Sequence, residues 1–170
     1  MILRFTLAAT AAALLAAAPA NAADNPWLAK RVLNIAHQGG EDEFPSNTLY
    51  AFKQAVKAGA DMLELDIGVT KDDRVVVMHD TTLDRTTSGK GTISSHTLRQ
   101  IRRLDGACWF SPGDDAYRHG LKRSQYRFRG IATGDRRPPR GYKRSDFRVP
   151  TLEEVLRAFP HTPILSLIHI

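Results

Sequence analysis

Two acidic residues stand two positions apart inside a short apolar run, MLELDIGV, at residues 62–69. If this run forms a β-strand, its side chains alternate between two faces, and Glu64 and Asp66 share one of them. Two acids on a face of a buried strand are costly unless a positive group meets them. Oxygen ligands at this spacing suit one hard divalent cation, Mg²⁺ or Ca²⁺, and the alternative is a salt bridge to Lys or Arg. Zn²⁺ is disfavoured because the chain has no Cys/His ligand spacing.

Two histidines close two other apolar segments. His37 ends RVLNIAH, and His79 stands with Asp80 at the end of the run VVVMHD. Two imidazoles on opposite sides of one cleft form the usual acid and base for splitting a phosphodiester, because imidazole titrates near neutral pH. Which histidine is the acid and which is the base stays open. Asp80 can orient His79 or cap the next turn.

The elements that must position these residues follow from apolar periodicity and capping signals. The sequence predicts helices over 46–60, 94–104 and 151–159. The first has Ser46 or Asn47 as its cap and ends at Gly59, and the second has a serine cap. Thr151 caps the last of these, with Glu154 at capping-box spacing. The predicted strands are 31–37, 62–69, 75–80 and 162–170, with a tight turn over 71–74.

Alternation of strands and helices argues for a parallel sheet with helical crossovers. Reactive residues stand at the ends of the first three predicted strands, which is where (β/α) barrels and open doubly wound sheets place their sites. The glycine fingerprint of dinucleotide-binding sheets is absent. A barrel needs roughly 250 residues. With about four of its eight strands, the chain reads as the N-terminal half of a larger fold.

A long segment at about 106–149 has no clean period and many Gly, Pro and charged residues, so we interpret it as an irregular insertion. It carries much of the basic excess behind the net charge of +6. Nucleic-acid binding is one reading of such charge, but a solvated loop or a rim that attracts anionic substrates is favoured. The single cysteine, Cys108, reads as a small packed hydrophobe. Because the basic charge is interpreted as a solvated loop or a rim for anionic substrates, we expect no nucleic-acid partner.

The N-terminus has the pattern of a secretory signal peptide over 1–22: a positive Arg4, an apolar run and an A-x-A site at 20–22. We expect cleavage after Ala22 or Ala23, leaving residues 23–170 as the domain, exported to the periplasm or the medium. The run is too short and alanine-rich for a membrane span, so no stable membrane anchor is expected. An uncleaved anchor is the alternative.

The motifs together resemble the glycerophosphodiester phosphodiesterase family; they are IAHQGG, SNTLYAF, LELDIGVTKDDRVVVMHD, LDRTT and RVPTLEEVLRAFP. The resemblance implies a TIM (β/α)₈ barrel that hydrolyses glycerophosphodiesters to glycerol 3-phosphate and an alcohol. It makes His37 and His79 the general acid and base, and Glu64 and Asp66 the metal ligands. Asn47 would line the site near the phosphate. A related two-histidine barrel phospholipase, a non-catalytic exported binding protein and a basic nucleic-acid module are the competing interpretations.

Two departures from the family pattern stand out. Gln38 occupies the place of a common Arg, so an amide must help bind substrate where the family has a charged clamp.

The family also continues into a strand with a Glu-x-Lys pair, whose Glu is a third metal ligand, whereas this chain ends ILSLIHI. Residues 165–170 match the translation of a common sequencing adaptor, so we hypothesise that the reading frame leaves the gene there. We expect this truncated half barrel alone to be poorly stable and nearly inactive.

Overall fold

The computed structural model describes residues 32–113 and 120–168. The predicted signal peptide at 1–22 lies outside these residues. Within the described ranges, no helix has the length and apolar character needed to cross a membrane. The helices are α1, α2 and α3, and the strands are β1 to β4, with these bounds: β1 Ile35–Ala36, α1 Leu49–Lys57, β2 Met62–Val69, β3 Val75–Val77, α2 Leu98–Ile101, α3 Leu152–Ala158 and β4 Ile164–Ile168.

Strand β2 is the centre of the sheet and pairs with all three other strands. It runs parallel to β1, with Ile35 opposite Met62, and parallel to β4, with Leu63 opposite Ile164. The apolar core on one side of this sheet contains Phe52 of α1, Val155 of α3 and Leu65 of β2. The middle of β2 is therefore buried, with β1 and β4 paired to it and α1 and α3 packed in the core beside it.

The third strand departs from the sequence-based prediction in length and direction. It was expected over 75–80 in a parallel sheet, but β3 is Val75–Val77 and runs antiparallel to β2. The reason is the short connection at 70–74, since a parallel neighbour requires a crossover of a dozen or more residues. The tight turn itself is present, closed by a 3.0 Å bond from the Thr70 N–H to the Arg74 carbonyl. The described part of the sheet therefore has three parallel strands.

The N-cap of helix α1 lies one residue after Asn47 and two after Ser46, the two expected caps. Thr48, not Ser46 or Asn47, is the N-cap, and its hydroxyl accepts a 3.1 Å bond from the Ala51 N–H. The helix ends as expected before Gly59, which has φ +91°. The N–H of Ala60 then bonds the Ala55 carbonyl at 3.0 Å, which completes a glycine-based C-terminal cap.

The helix expected over 94–104 is much shorter in the structure. Ile93–Ser95 forms a 3₁₀ turn, and α2 begins only after Thr97, which makes a capping box with Gln100. Ser95 is not a cap, because its hydroxyl donates back to the Thr92 carbonyl at 2.8 Å. Such local side-chain bonds compete with helix formation. The last predicted helix is confirmed as α3, with Thr151 and Glu154 forming the expected capping box.

The segment after residue 105 folds around an aromatic cluster. Tyr50 of α1 stacks on Phe147 with ring centroids 4.6 Å apart, and the described part of the segment supplies most of the other rings. Asp105 fixes the start of the segment, since it accepts 2.6 Å and 3.0 Å bonds from the N–H groups of Gly130 and Ala107. Cys108 packs against the cluster, and burial raises the pKa of its thiol to about 11. This thiol is therefore protonated at neutral pH, in keeping with a packing role.

Candidate active site

The two acids of β2 are buried in the middle of the strand. Glu64 is 4% exposed and Asp66 is 1% exposed. The sequence described them as standing at the end of the predicted strand 62–69, but in β2, which spans the same eight residues, they are the third and the fifth. Their alternation with buried Leu63 and Leu65 puts both carboxylates on one face, as predicted.

Glu64 has no cationic partner among the residues that the structure describes, apart from a distant histidine. Its Oε2 accepts a 2.8 Å bond from the Gln38 N–H and lies 4.0 Å from His37 Nε2. Burial raises the pKa of this carboxyl, and the Gln38 N–H partly offsets that rise. The nearby charge of Asp66 raises it further. A salt bridge to Lys or Arg therefore does not explain the buried Glu64.

Asp66 is held by Asn47, one of the residues that the resemblance placed near the phosphate. Asn47 Nδ2 donates to Asp66 Oδ2 at 2.9 Å, and its Oδ1 accepts from the Asp66 N–H at 3.4 Å. Both ends of the amide therefore face Asp66. Asn47 has φ +55°, and Gln38, whose carbonyl accepts a 2.9 Å bond from the Asn47 N–H, has φ +49°. Left-handed backbone at two bonded non-glycine residues is the kind of strain that clusters at functional sites.

Two buried oxygens of this site have no hydrogen-bond donor in the described structure. They are Gln38 Oε1 and Glu64 Oε1, and the only other such atom in the described ranges is the hydroxyl oxygen of Ser111. Unsatisfied acceptors next to a buried carboxylate pair fit a bound cation, because a cation needs oxygen ligands and supplies the missing positive charge. Within 32–113 and 120–168, no three His, Cys, Asp or Glu side chains are grouped closely enough to hold a metal ion. The carboxylates alone thus make an incomplete ligand set.

His37 lies at the Glu64 end of the carboxylate pair. The register of β1 against β2 sets Ala36 opposite Leu63, so His37 follows at the level of Glu64. Its Nδ1 lies 2.8 Å from Glu41 Oε1, and more than half of its side chain is exposed. An imidazole that shares its Nδ1 proton with a carboxylate keeps Nε2 available as an acceptor.

His79 lies at the Asp66 end. The N–H of Met78, the preceding residue, donates to the Asp66 carbonyl at 2.9 Å. His79 Nδ1 lies 2.9 Å from Asp80 Oδ1, as the predicted orienting role of Asp80 requires. The two predicted catalytic imidazoles therefore lie by the two ends of the acid pair, and each has a carboxylate at Nδ1.

Arg85 clamps Asp80 from the far side. Its Nε donates to Asp80 Oδ2 at 2.7 Å and its Nη2 donates to Oδ1 at 2.5 Å. These bonds are the main reason that the pKa of Asp80 is lowered, with the His79 bond contributing as well and burial opposing. Neither Arg85 nor Glu41 was among the residues predicted for the site. Arg85 lies inside the LDRTT motif and Glu41 lies one helical turn after His37, which are the only signals that could have revealed them.

Two cavities adjoin His79. A narrow one of about 10 Å³ lies between Asn47, His79 and Gly106, so the insertion reaches the site. A larger one of about 500 Å³ opens on the other side of His79 and Asp80. Its remaining walls are mainly apolar, and they include Ile67, Val69, Met78, Ile93 and Ile168.

Strand β4 provides the side chains next to the acids. In the parallel register Leu165 lies opposite Glu64, and Leu167 lies opposite Asp66. The resemblance implies a third acidic metal ligand from this strand. Two leucines occupy the positions from which such a ligand would reach the carboxylates.

Residues 37–170 match the model of the glycerophosphoryl diester phosphodiesterase family. The chain belongs to this family. It is 39% identical over 129 residues to a glycerophosphodiester phosphodiesterase of Bacillus subtilis, which covers 76% of this chain and 36% of that protein. It is 51% identical over 77 residues to human glycerophosphodiester phosphodiesterase 1, which covers 45% of this chain and 23% of that protein.

Among solved structures, a glycerophosphodiester phosphodiesterase from Agrobacterium tumefaciens matches with a TM-score of 0.58 and 29% identity, over 79% of this chain and 46% of that one. The chain thus spans about a third of the Bacillus relative and less than half of the solved neighbour. The family is as the sequence predicted, and the likeness supports a TIM-barrel type of fold.

Proposed function

We propose that the barrel to which this chain contributes hydrolyses glycerophosphodiesters to glycerol 3-phosphate and an alcohol. The observation that carries the proposal is the arrangement of two imidazoles, each with a carboxylate at Nδ1, by the two ends of a buried carboxylate pair. Family membership supplies the substrate class. The partner is therefore a small molecule, and the proposal involves no nucleic acid and no membrane anchor.

In the proposed reaction His37 and His79 share the proton transfers. One imidazole takes the proton of a water whose oxygen attacks phosphorus, and the other gives a proton to the alkoxide as the phosphorus–oxygen bond to the alcohol breaks. Glu41 and Asp80 hold the two rings in orientation through Nδ1. The arrangement supports both assignments of acid and base equally.

A divalent cation, Ca²⁺ or Mg²⁺, is part of the proposal, and Glu64 and Asp66 would hold it. Such a cation supplies charge to polarise the phosphoryl group and offset its negative charge. Asn47 keeps Asp66 in place, and the Gln38 N–H keeps Glu64 in place. We propose that the Gln38 side chain, with Asn47 beside it, also lines the phosphate position, as the resemblance implies.

The chain supplies three parallel strands in its described residues and about a third of the length of its Bacillus relative. We therefore propose that it is the N-terminal part of a (β/α)₈ barrel, and that on its own it is nearly inactive. The leucines of β4 beside the acids support this, since the carboxylates lack a third acidic neighbour there. Metal-dependent turnover by the 170-residue chain would refute the inactivity.

Export rests on the sequence of residues 1–22, which has the signal-peptide pattern. We propose a periplasmic or secreted location on that basis. Fractionation of cells that express the protein with and without these residues tests it: an exported product that depends on them is expected.

The test of the proposed reaction uses the complete barrel enzyme and glycerophosphocholine, with release of glycerol 3-phosphate as the readout. Replacing His37 or His79 by Ala should lower kcat by about 10²- to 10⁴-fold, the usual contribution of general acid–base catalysis. His161→Ala is the matched control, because this histidine is exposed and lies far along the chain from the site. Retained activity in both site variants would reject the mechanism.

A second candidate function, a two-histidine barrel phospholipase, is favoured by the apolar cavity of about 500 Å³ beside His79. An acyl chain could occupy such a space, because its walls offer mostly apolar surface. Comparing hydrolysis of lysophosphatidylcholine with that of glycerophosphocholine separates the candidates. A higher kcat/KM for the lysolipid would favour the phospholipase.

A further inference from the structure

The two unsatisfied oxygens of the site belong to residues that are bonded to each other. The Gln38 N–H donates to Glu64 Oε2, while Gln38 Oε1 and Glu64 Oε1 have no donor in the described structure. The residues are only 2% and 4% exposed. Leaving a buried acceptor unpaired costs about 1–3 kcal/mol, so two of them on a pair of hydrogen-bonded residues indicate a missing positive partner.

The buried residue Gln38 has an unfavourable backbone conformation. Its φ of +49° is left-handed, a region that a non-glycine residue seldom adopts. Bonds on both sides hold it there: its N–H is bonded to Glu64, and its carbonyl accepts from the Asn47 N–H. Asn47 in turn holds Asp66, so one short network connects Gln38 to both carboxylates.

We propose that the side-chain amide oxygen of Gln38 is a ligand of the divalent cation, together with Glu64 and Asp66. This inference rests on the cation of the proposed function. It gives the described residues three oxygen ligands where carboxylates alone give two. The amide nitrogen, at the other end of the same group, stays available to donate to a phosphate oxygen.

The chemistry of this ligand set favours Ca²⁺. Carboxylates together with amide carbonyls are typical Ca²⁺ ligands, whereas Mg²⁺ is usually held by one or two carboxylates and keeps several waters. Loss of the amide oxygen should therefore weaken Ca²⁺ binding more than Mg²⁺ binding. The arginine that the family commonly has at this position has only N–H donors and cannot act as a ligand.

The experiment is calorimetric titration of the full chain with CaCl₂ and with MgCl₂, without substrate. Gln38→Met keeps the length of the side chain and removes the hard oxygen. We expect its Kd for Ca²⁺ to rise about 10-fold or more, the scale on which partners of metal ligands act, with a smaller rise for Mg²⁺. Gln54→Leu is the matched control, since the Gln54 amide bonds the Tyr50 hydroxyl on α1, and its Kd values should equal those of the parent.

A second variant, Gln38→Glu, keeps an oxygen at the same position and should bind Ca²⁺ at least as tightly as the parent chain. This variant provides the test if circular dichroism shows that Gln38→Met does not fold. Weaker Ca²⁺ binding by Gln38→Glu than by the parent chain would overturn the inference. Unchanged Ca²⁺ binding in a folded Gln38→Met also overturns it. If Glu64→Gln abolishes binding while Gln38→Met leaves it unchanged, the result supports the proposed cation site. It then rejects only the assignment of Gln38 as a ligand. A parent chain that binds neither ion also overturns the inference about Gln38, whereas the cation of the proposed function is tested separately in the complete barrel enzyme.

Discussion

At the scale of single residues, the site depends on pairs that hold the reactive groups rather than on those groups alone. Both ends of the Asn47 side-chain amide are hydrogen-bonded to Asp66, and the Asn47 backbone is left-handed. The sequence predicted that Asn47 belongs to the site. It could not predict this bonding, because the two residues are 19 positions apart and meet only through the fold.

Replacing Asn47 by Ala should destabilise the chain by about 2–4 kcal/mol, because a buried Asp66 loses its partner and Ala tolerates left-handed backbone poorly. Urea unfolding measures the change. Asn34→Ala is the control, since Asn34 is exposed, and it should shift stability by less than about 0.5 kcal/mol. Equal effects of the two substitutions would contradict the role of Asn47.

The Asp80–Arg85 pair predicts a pH-dependent stability. The Arg85 bonds lower the pKa of Asp80 in the folded chain. The stabilisation is therefore present above the ordinary carboxyl pKa of about 3.9 and is lost as the pH falls through the lowered folded value. Arg85→Met should cost about 1 kcal/mol at pH 7, the upper end for a partly exposed pair.

Urea unfolding between pH 7 and pH 3 checks this, and the difference between parent and Arg85→Met should shrink below about pH 4. Lys90→Met removes the exposed pair with Asp84 and is the control, with little effect expected at any pH. A difference that stays constant over the whole range would count against the pair.

At the scale of elements, the sequence predicted most of the segments that carry the candidate site residues but missed the direction of β3. The strands around Glu64 and Asp66, helix α3 and the stop of α1 at Gly59 follow from periodicity and capping. The antiparallel β3 was missed because periodicity carries no direction, and only the short connection at 70–74 reveals it. Helix α2 begins later than expected because a 3₁₀ turn forms at Ile93–Ser95, where the Ser95 hydroxyl bonds the Thr92 carbonyl, and helix propensity does not record such a bond.

The turn that carries His37 and Gln38 packs directly on α1 through Gly39. Gly39 has φ +81°, and a Cβ there would lie 2.9 Å from Ala51 Cβ. Gly59 has a similar φ of +91° but open space around it. Both Gly→Ala substitutions should therefore lower the free energy of unfolding, because alanine rarely adopts a positive φ. Gly39→Ala should lower it by about 1–3 kcal/mol more, because its Cβ would be overpacked against Ala51. Thermal and urea unfolding of the two variants compare these terms, and equal losses would show that the Gly39 contact is unimportant.

The register of β4 predicts a gain in cation affinity. Leu165 lies opposite Glu64 in the parallel pair, so Leu165→Glu adds a third carboxylate next to the acids. We expect the Kd for Ca²⁺ to fall by about 10-fold, since affinity rises with the number of charged ligands. Ser166→Glu is the control, because Ser166 lies opposite Leu65 and faces the other way. A similar gain in both variants would refute this register.

At the scale of the whole molecule, the insertion is a packed part of the fold and also the most basic surface. Its described aromatic side chains are mostly buried, whereas its cations are mostly exposed: Lys122, Arg123, Arg127, Arg136, Arg137, Arg140, Lys143 and Arg144. The sequence predicted the charge, but it could not predict that Tyr50 of α1 joins these rings, because no periodicity links residues so far apart along the chain. Of the described residues of the segment, only those at its two ends, Gly106 and Val149, line the small cavity beside His79, and none of these cations does.

The central claim is that a divalent cation held by Glu64 and Asp66 works with two histidines in phosphodiester cleavage. The most direct measurement follows glycerol 3-phosphate release from glycerophosphocholine by the complete barrel enzyme, before and after removal of metal by a chelator and again after Ca²⁺ or Mg²⁺ is restored. We predict loss with chelator and recovery with the ion in the parent enzyme, and no recovery in Glu64→Gln with Asp66→Asn. Release that continues unchanged after the chelator would contradict the account.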